Sequence, residues 1–250
     1  FGIEFADGAV FSENDWQNHP TAFEGLNAAF DTGFAGLNLY AVKSAETQAL
    51  GTAATAALNN SDPETNWYMV TADIKNLPEA IKVANVHVVQ TNADDSGTGS
   101  ANWQQGGLTV GGDAMNILYK LTYAMQMGSF AKTAAVDTKA AGTMLDAMIG
   151  YQLPETMGAK FSLGYHMDSG DDGATADKAE DYKTFNYDRH NYGGLMDVVG
   201  WGNSTYLNVN ASMLPMEDLE VGLGYYMFTR TTDKSGANFT GNYSGLNTTG

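Results

Sequence analysis

The chain predicts an all-β protein, an antiparallel up-and-down transmembrane barrel of outer-membrane type, and three observations carry that prediction. Apolar residues recur at every second position in many separate stretches, most plainly in MGAKFSLGYHMD at 157–168 and DLEVGLGYYMFT at 218–229, which share LGY-x-M. A period of two places alternate side chains on opposite sides of a strand, so each stretch has one greasy and one polar face. The links between stretches alternate short and long, as in a meander with tight turns at one rim and extended loops at the other. No apolar run reaches the ~18 residues a membrane helix needs, so any span must be made of strands. A soluble β-sandwich, serving as a surface or adhesion protein, is the alternative fold for the same alternation.

Composition agrees with many strands joined by turns: 29 glycines, 13 tyrosines and 11 phenylalanines stand against 5 prolines in 250 residues. There is no cysteine, which removes disulfides, thiolate metal sites and a cysteine nucleophile. The net charge of −17 repels polyanions at long range and argues against a nucleic-acid partner. Phe1 is preceded by neither an initiator methionine nor a signal peptide, so the chain reads as mature and as one barrel domain, 1–250, incomplete at both ends.

Taken in order, the strands are expected near 1–7, where Phe1, Ile3 and Phe5 alternate, then at 21–31 and 34–44 around Asp31-Thr32-Gly33. The stretches 65–75 and 80–91 flank a Pro78 turn, and 103–111 and 114–126 flank Gly111–Asp113. Further on, 142–153 and 157–168 flank Pro154–Thr156, while 204–214 and 219–231 flank Pro215–Asp218. Long external loops are expected near 8–20, 45–64, 92–102, 127–141 and 169–203. The Ala-rich stretch 48–60 could form a short helix inside one of them.

The outward faces carry no charge: Tyr68, Val70, Ala72 and Ile74 form one, and Leu219, Val221, Leu223, Tyr225 and Met227 another. Tyr68, Tyr123, Tyr165 and Tyr225 gather toward the long-loop rim, as aromatic girdles do at a membrane interface. The opposite faces hold amides and charges that a dry core could not satisfy, which points to a water-filled lumen. Its candidate lining residues are Tyr40, Trp67, Asp73, His87, Lys120, Asp146, Lys160, His166, Glu220 and Arg230. Lys120, Lys160 and Arg230 there nearly balance Asp73, Asp146 and Glu220.

At 168–230 the chain resembles the alginate-export family of Gram-negative outer-membrane barrels. The resembling elements are Ser169–Asp172, Lys183–Phe185, His190 with Tyr192 and Gly193, Met196–Trp201 with Asn203, and Leu214–Pro215. A second match lies at Asn14–Trp16 with Ala22–Leu26. The resemblance implies a barrel in the bacterial outer membrane that passes solutes passively, with members ranging from polysaccharide exporters to small-molecule porins. Family exporters of anionic polymers resemble one another in an arginine-rich lumen, and this chain offers only Arg189 and Arg230.

Acidic residues crowd the longest loop, so Asp171, Asp172, Asp188, Arg189 and His190 are candidates for its mouth. A negative mouth concentrates cations within a Debye length of ~8 Å, which predicts a weakly cation-preferring porin for small hydrophilic solutes. A channel specific for a sugar or oligosaccharide, or for polysaccharide export, is the alternative, with Tyr40 and Trp67 as stacking surfaces. Asp168, Asp171 and Asp172 form a weak calcium candidate without the spacing of an EF-hand. No other metal or cofactor is expected.

Catalysis is not expected: the chain has no GxSxG, P-loop or dinucleotide fingerprint. Ser162, His166 and Asp168 share one strand face, but there they are strung apart rather than convergent. The partners implied are outer-membrane lipid, lipopolysaccharide and hydrophilic solutes. No interface signal chooses between a monomer and a homo-oligomer.

Overall fold

The computed structural model describes residues 1–14, 22–46, 64–95, 99–132, 137–188 and 201–233. Twelve strands appear there: β1 Glu24–Asp31, β2 Ala35–Glu46, β3 Glu64–Ile74, β4 Ile81–Asp95, β5 Gly99–Ala114, β6 Ile117–Lys132, β7 Asp137–Ala140, β8 Thr143–Leu153, β9 Ala159–Asp168, β10 Lys178–Ala179, β11 Ser204–Met216 and β12 Leu219–Arg230. Ten of them pair in the order β1-β2-β3-β4-β5-β6-β8-β9-β11-β12, while β7 pairs with β6 and β10 with β7. Every pairing is antiparallel except β10 with β7. The sheet is not closed: β1 and β12 are its edges, and almost all of their residues are exposed. No helix among the described residues is long and apolar enough to cross a membrane.

The expected parity holds along the meander. Leu163 of β9 stands opposite Ile149 of β8 and Val209 of β11, and all three are among the exposed large hydrophobics. Three residues along, His166 stands opposite Asp146 and Tyr206 on the other face, where all three are buried. The outer face is therefore an apolar band of aliphatic and aromatic side chains, the arrangement a lipid-facing sheet requires.

Four expectations are corrected. Residues 1–7 are not a strand of the sheet: Phe5 bridges only Phe11, and the segment lies on the sheet's inner face with Ile3, Phe5, Val10 and Phe11 buried. The alternation of Phe1, Ile3 and Phe5 reports burial against that face rather than sheet pairing. The links expected at 92–102 and 127–141 are largely strand, since β4 runs to Asp95, β5 begins at Gly99 and β6 runs to Lys132. Here the outward side changes from Val86, Val88 and Leu108 to Gln90, Asn92, Asn102 and Gln104, so the ladder continues after the apolar pattern has stopped. Backbone pairing needs no greasy face where a strand rises into water.

The turn expected at Gly111–Asp113 falls instead at Met115–Asn116, both left-handed with φ of 51° and 66°. Gly112 is a strand residue kept small by its neighbour, because a Cβ there would sit 2.0 Å from the Ala80 carbonyl oxygen. The fourth correction concerns the lumen. An apolar cluster on the inner face joins Val42, Met69, Val89, Ala124, Met144 and Tyr206 of the strands to Ile3, Phe5, Val10 and Phe11, and to Tyr182, Tyr187 and Trp201. Chain segments fill that part of the inner side in place of water.

The parity gives a test. Leu163, half exposed on the outer band, should tolerate arginine poorly: Leu163→Arg is expected to lose about 2–4 kcal/mol of folding stability in bilayers, the cost of a cation near the membrane midplane. Ser162→Arg, one residue away on the inner face, should lose far less. Urea unfolding from lipid vesicles, followed by heat-modifiable migration on gels, measures both.

Candidate functional site

Three segments converge on the inner face. The first, residues 1–14, makes a tight reversal: Ala6, Asp7 and Gly8 are all left-handed, with φ of 55°, 54° and 74°, and the Ala9 N–H donates to the Ala6 carbonyl at 3.0 Å. Beyond the turn, Phe5 N–H donates to the Phe11 carbonyl at 3.2 Å. The two rings go to different neighbours. Phe5 lies 5.3 Å from the His87 ring, whereas Phe11 lies 5.1 Å from Trp67 and 5.2 Å from Phe185. Asp7 at the turn pairs with Lys120 Nζ at 2.5 Å.

The second segment runs from Ser169 to Asp188. The Ser169 hydroxyl donates to the Glu180 carbonyl at 2.6 Å and accepts the Thr143 N–H at 2.8 Å. Gln126 then clips the chain from below: its Nε2 donates to the Lys183 carbonyl at 2.6 Å, and its Oε1 accepts the Lys183 N–H at 3.0 Å. This side chain imitates a strand neighbour, satisfying both main-chain groups of one residue. Phe185 stacks on Trp103 at 5.2 Å, and Lys183 lies 4.7 Å above the Phe130 ring while pairing with Asp181. Tyr182 is buried, and that burial, with the Asp168 charge, pushes its hydroxyl pKa well above the ordinary value.

The segments also hold each other. Ser12 N–H donates to the Asn186 carbonyl at 2.7 Å, Asn186 Nδ2 returns a bond to the Ser12 carbonyl at 2.6 Å, and Asp188 N–H donates to the Gly8 carbonyl at 2.8 Å.

The third segment is the lead into β11. His166 lies between two carboxylates, with Nδ1 3.3 Å from Asp146 and Nε2 3.1 Å from Asp168. Its ring is stacked between Trp201 at 3.9 Å and Tyr206 at 4.8 Å. Asp168 also accepts the Gly202 N–H at 2.7 Å and the Ser204 hydroxyl at 3.3 Å, while the Tyr187 hydroxyl accepts the Trp201 N–H at 2.7 Å. A buried carboxylate needs such donors, and here they pin residues 201–204 to β9.

The candidate residues from the sequence thus separate into groups. Asp146 and His166 belong to the carboxylate–imidazole cluster, and Trp67 belongs to the aromatic one. Tyr40 is half-buried, 6.4 Å from the Phe1 ring. Asp73 is exposed and accepts Asn85 Nδ2 at 2.7 Å, Lys160 and Arg230 are half-buried, and Glu220 is exposed on the edge strand β12. Asp171 and Asp172 cap their own turn, accepting the N–H groups of Gly173 and Ala174 at 2.8 Å each.

A ligand atom from each of Asp171, Asp172 and Glu180 falls within 4.8 Å of the others, whereas Asp168 is turned away into the His166 cluster. The calcium candidate therefore loses Asp168 from its set. Asp188 joins the first segment through its N–H, and Arg189 and His190 lie outside the described residues.

Sequence reasoning gives Phe5, Phe11, Gln126, Phe185 and Trp201 no part in an inner-face cluster, although Phe185 and Trp201 stand in the motifs that resemble the family. Their signal lay in breaks of the polar alternation: Val42, Met69, Val89 and Met144 are apolar on faces that are otherwise polar, and an apolar pad on an inner wall implies something seated on it.

The clip yields a test. Gln126→Leu leaves two main-chain groups of Lys183 without partners, a cost of about 1–3 kcal/mol for each one that stays buried. Trypsin should then cleave after Lys183 in the folded protein, where the parent is protected, and peptide mapping of the digest reads the difference.

Residues 2–250 match the family model described as Alginate export. No individually curated protein matches the chain in sequence. The match spans essentially the whole length of a chain that folds as an antiparallel meander with an apolar outer face, and the protein belongs to the alginate-export family.

Proposed function

We propose that the chain forms the wall of an outer-membrane export channel for a hydroxyl-rich polysaccharide, with lipid and lipopolysaccharide against its outer band and the travelling chain along its inner face. Membership of a transport family supports this reading over an enzymatic one. The observation that carries it is the composition of the inner face. Amides and hydroxyls, among them Asn38 and Thr71 toward one edge of the sheet and Asn208 and Asn210 toward the other, share the inner side with the rings of Trp67 and Trp103, on which Phe185 packs. Hydrogen-bonding walls with flat aromatic faces suit sugar rings, which present hydroxyls at their edges and C–H groups on their faces.

Charge narrows the polymer. The chain carries −17 with two arginines, and the inner cation Lys120 is engaged by Asp7. A densely anionic polymer would meet repulsion, so a neutral or sparsely charged one fits better. The same acidity supports the second reading, a general, weakly cation-preferring porin for small hydrophilic solutes. Catalytic residues and cofactors have no part in either reading.

Planar-bilayer currents separate the two. An export channel should be occluded by soluble oligosaccharides, neutral ones at least as well as uronic ones, at concentrations where small sugars have no effect. Currents indifferent to oligosaccharide length would instead favour the general porin. In a salt gradient the reversal potential should indicate cation preference under either reading. Asp171→Asn with Asp172→Asn should weaken that preference by no more than about twofold at physiological salt, because the Debye length of ~8 Å confines the mouth's field.

A further inference from the structure

The inner side of β4 carries buried polar groups without partners, and one of them, His87, lies against residues 1–14. On β4 the side chains of Asn85, His87 and Thr91 are 4%, 2% and 5% exposed. Asn85 Oδ1, both ring nitrogens of His87 and Thr91 Oγ1 have no hydrogen-bond partner among the described residues. The group facing His87 from the segment is the Phe5 ring, which can offer it nothing but apolar contact. On the wall side, the cross-strand neighbours of His87 are Thr71 and Gly107. Gly107 leaves the space that the imidazole occupies, since a Cβ there would lie 2.5 Å from Cε1 and Nε2. Buried polar groups are nearly always paired, so a row of unpaired ones marks a surface shaped for another occupant.

The segment itself is under conformational load. Ala6 and Asp7 are both left-handed without being glycine, a conformation disfavoured by contact of Cβ with the carbonyl. Its pairing with Lys120 puts Asp7 in water, with 62% of that side chain exposed, where ion pairs stabilise little. The hydrogen bonds of Gly8 and Ser12 go to Asp188 and Asn186, in a second inward segment, rather than to the strands. Apolar contact seats much of residues 1–14 on the strands, with Phe5, Val10 and Phe11 in one cluster with Met69 and Val89, while main-chain bonds between Phe1 and Phe23 hold its start beside β1.

We infer that residues 1–14 are a displaceable plug, and that the polar floor beneath Phe5, formed by His87 of β4, becomes hydrated, and meets the hydrophilic solute, when the plug lifts. The inference rests on the channel reading above and adds its gate. In the closed arrangement the apolar contacts hold the plug down, while the unpaired floor and the left-handed turn oppose them. Opening restores water or solute hydroxyls to the floor, so a hydrophilic solute favours the open arrangement by its own chemistry.

Opposing forces predict opposite responses to substitution. The chain has no cysteine, so Ala9→Cys, buried in the plug, gives a single thiol whose reaction with a small hydrophilic maleimide reads the opening of the intact protein in lipid nanodiscs. On that background His87→Leu should slow labelling about tenfold, the factor expected when one buried unsatisfied group is removed from the closed arrangement. His87→Phe, which keeps a flat ring in the space that Gly107 leaves, should slow it in the same direction and guards against a fold defect in the leucine variant. Phe5→Ala and Phe11→Ala should speed it.

Labelling that is as fast or faster in both His87→Leu and His87→Phe, with heat-modifiable migration intact, overturns the plug. Bilayer currents from the same proteins keep the two readings apart. Labelling that follows the expected pattern while no variant conducts leaves the plug standing and removes the channel. Conduction in all variants, with labelling indifferent to the floor substitutions, does the reverse.

Discussion

Ten strands hydrogen-bonded in sequence order assign every residue to one of two faces, and each functional argument about this protein depends on that assignment. The constraint is first one of the backbone: in a hydrocarbon layer, each strand's N–H and C=O groups must be bonded to a neighbouring strand. Once the ladder is in place, parity leaves no freedom. A slip of one residue between β8 and β9 would bring His166 and Asp168 to the outer band and Leu163 to the inner side. The clustering of buried charge on one face and exposed aliphatic side chains on the other makes such a slip costly at every strand at once.

The same ladder aligns side chains across strands as well as along them. Following the pairing from β3 to β9 on the inner face, Asp73 stands beside Asn85, Asn85 beside Thr109, Thr109 beside Thr122, Thr122 beside Asp146 and Asp146 beside His166. Three of these neighbouring pairs are linked directly: Asn85 donates to Asp73 at 2.7 Å, the two threonine hydroxyls lie 3.1 Å apart, and His166 meets Asp146 at 3.3 Å. Nearer the long-loop rim, Trp67, Met69 and Val89 provide the pad on which Phe11 and its partners sit. Polar belt and apolar pad are thus two levels of one wall, set by register rather than by separate elements.

Sequence periodicity was sufficient for the sheet and insufficient for what lies upon it. The outward sets of β3, β6, β8, β9, β11 and β12 were legible because each strand repeats the same signal, and the family resemblance at 168–230 agreed with the match over 2–250. Strand ends were legible only where a greasy face ended with them. At β4 and β5 the ladder outlasts the apolar pattern, and Asn92 with Asn102 reads as loop although the two residues are paired.

Segment 1–14 misled for the opposite reason. Its apolar alternation was real, but burial against a wall and burial within a sheet leave the same trace in sequence. Gln126 was illegible in principle, because a glutamine that clips a distant main chain has no local pattern: its partner is 57 residues away.

The wall's composition also bears on how such a channel could be both sealed and hydrophilic. A wholly polar inner face would hold no inward segment, since water competes well for every hydrogen bond that a segment could make. A wholly apolar one would seal, but would oppose any hydrated solute. Here the two requirements are divided by residue. Met69 and Val89 give the inward segments something to leave water for, while Asn85, His87 and Thr91 between and beside them gain nothing from being covered. Because Val89 lies between His87 and Thr91 on the same face of β4, neither requirement can be met in full without offsetting the other. The closed arrangement is then held by a difference between opposing contributions, and modest changes in what touches the wall can shift it.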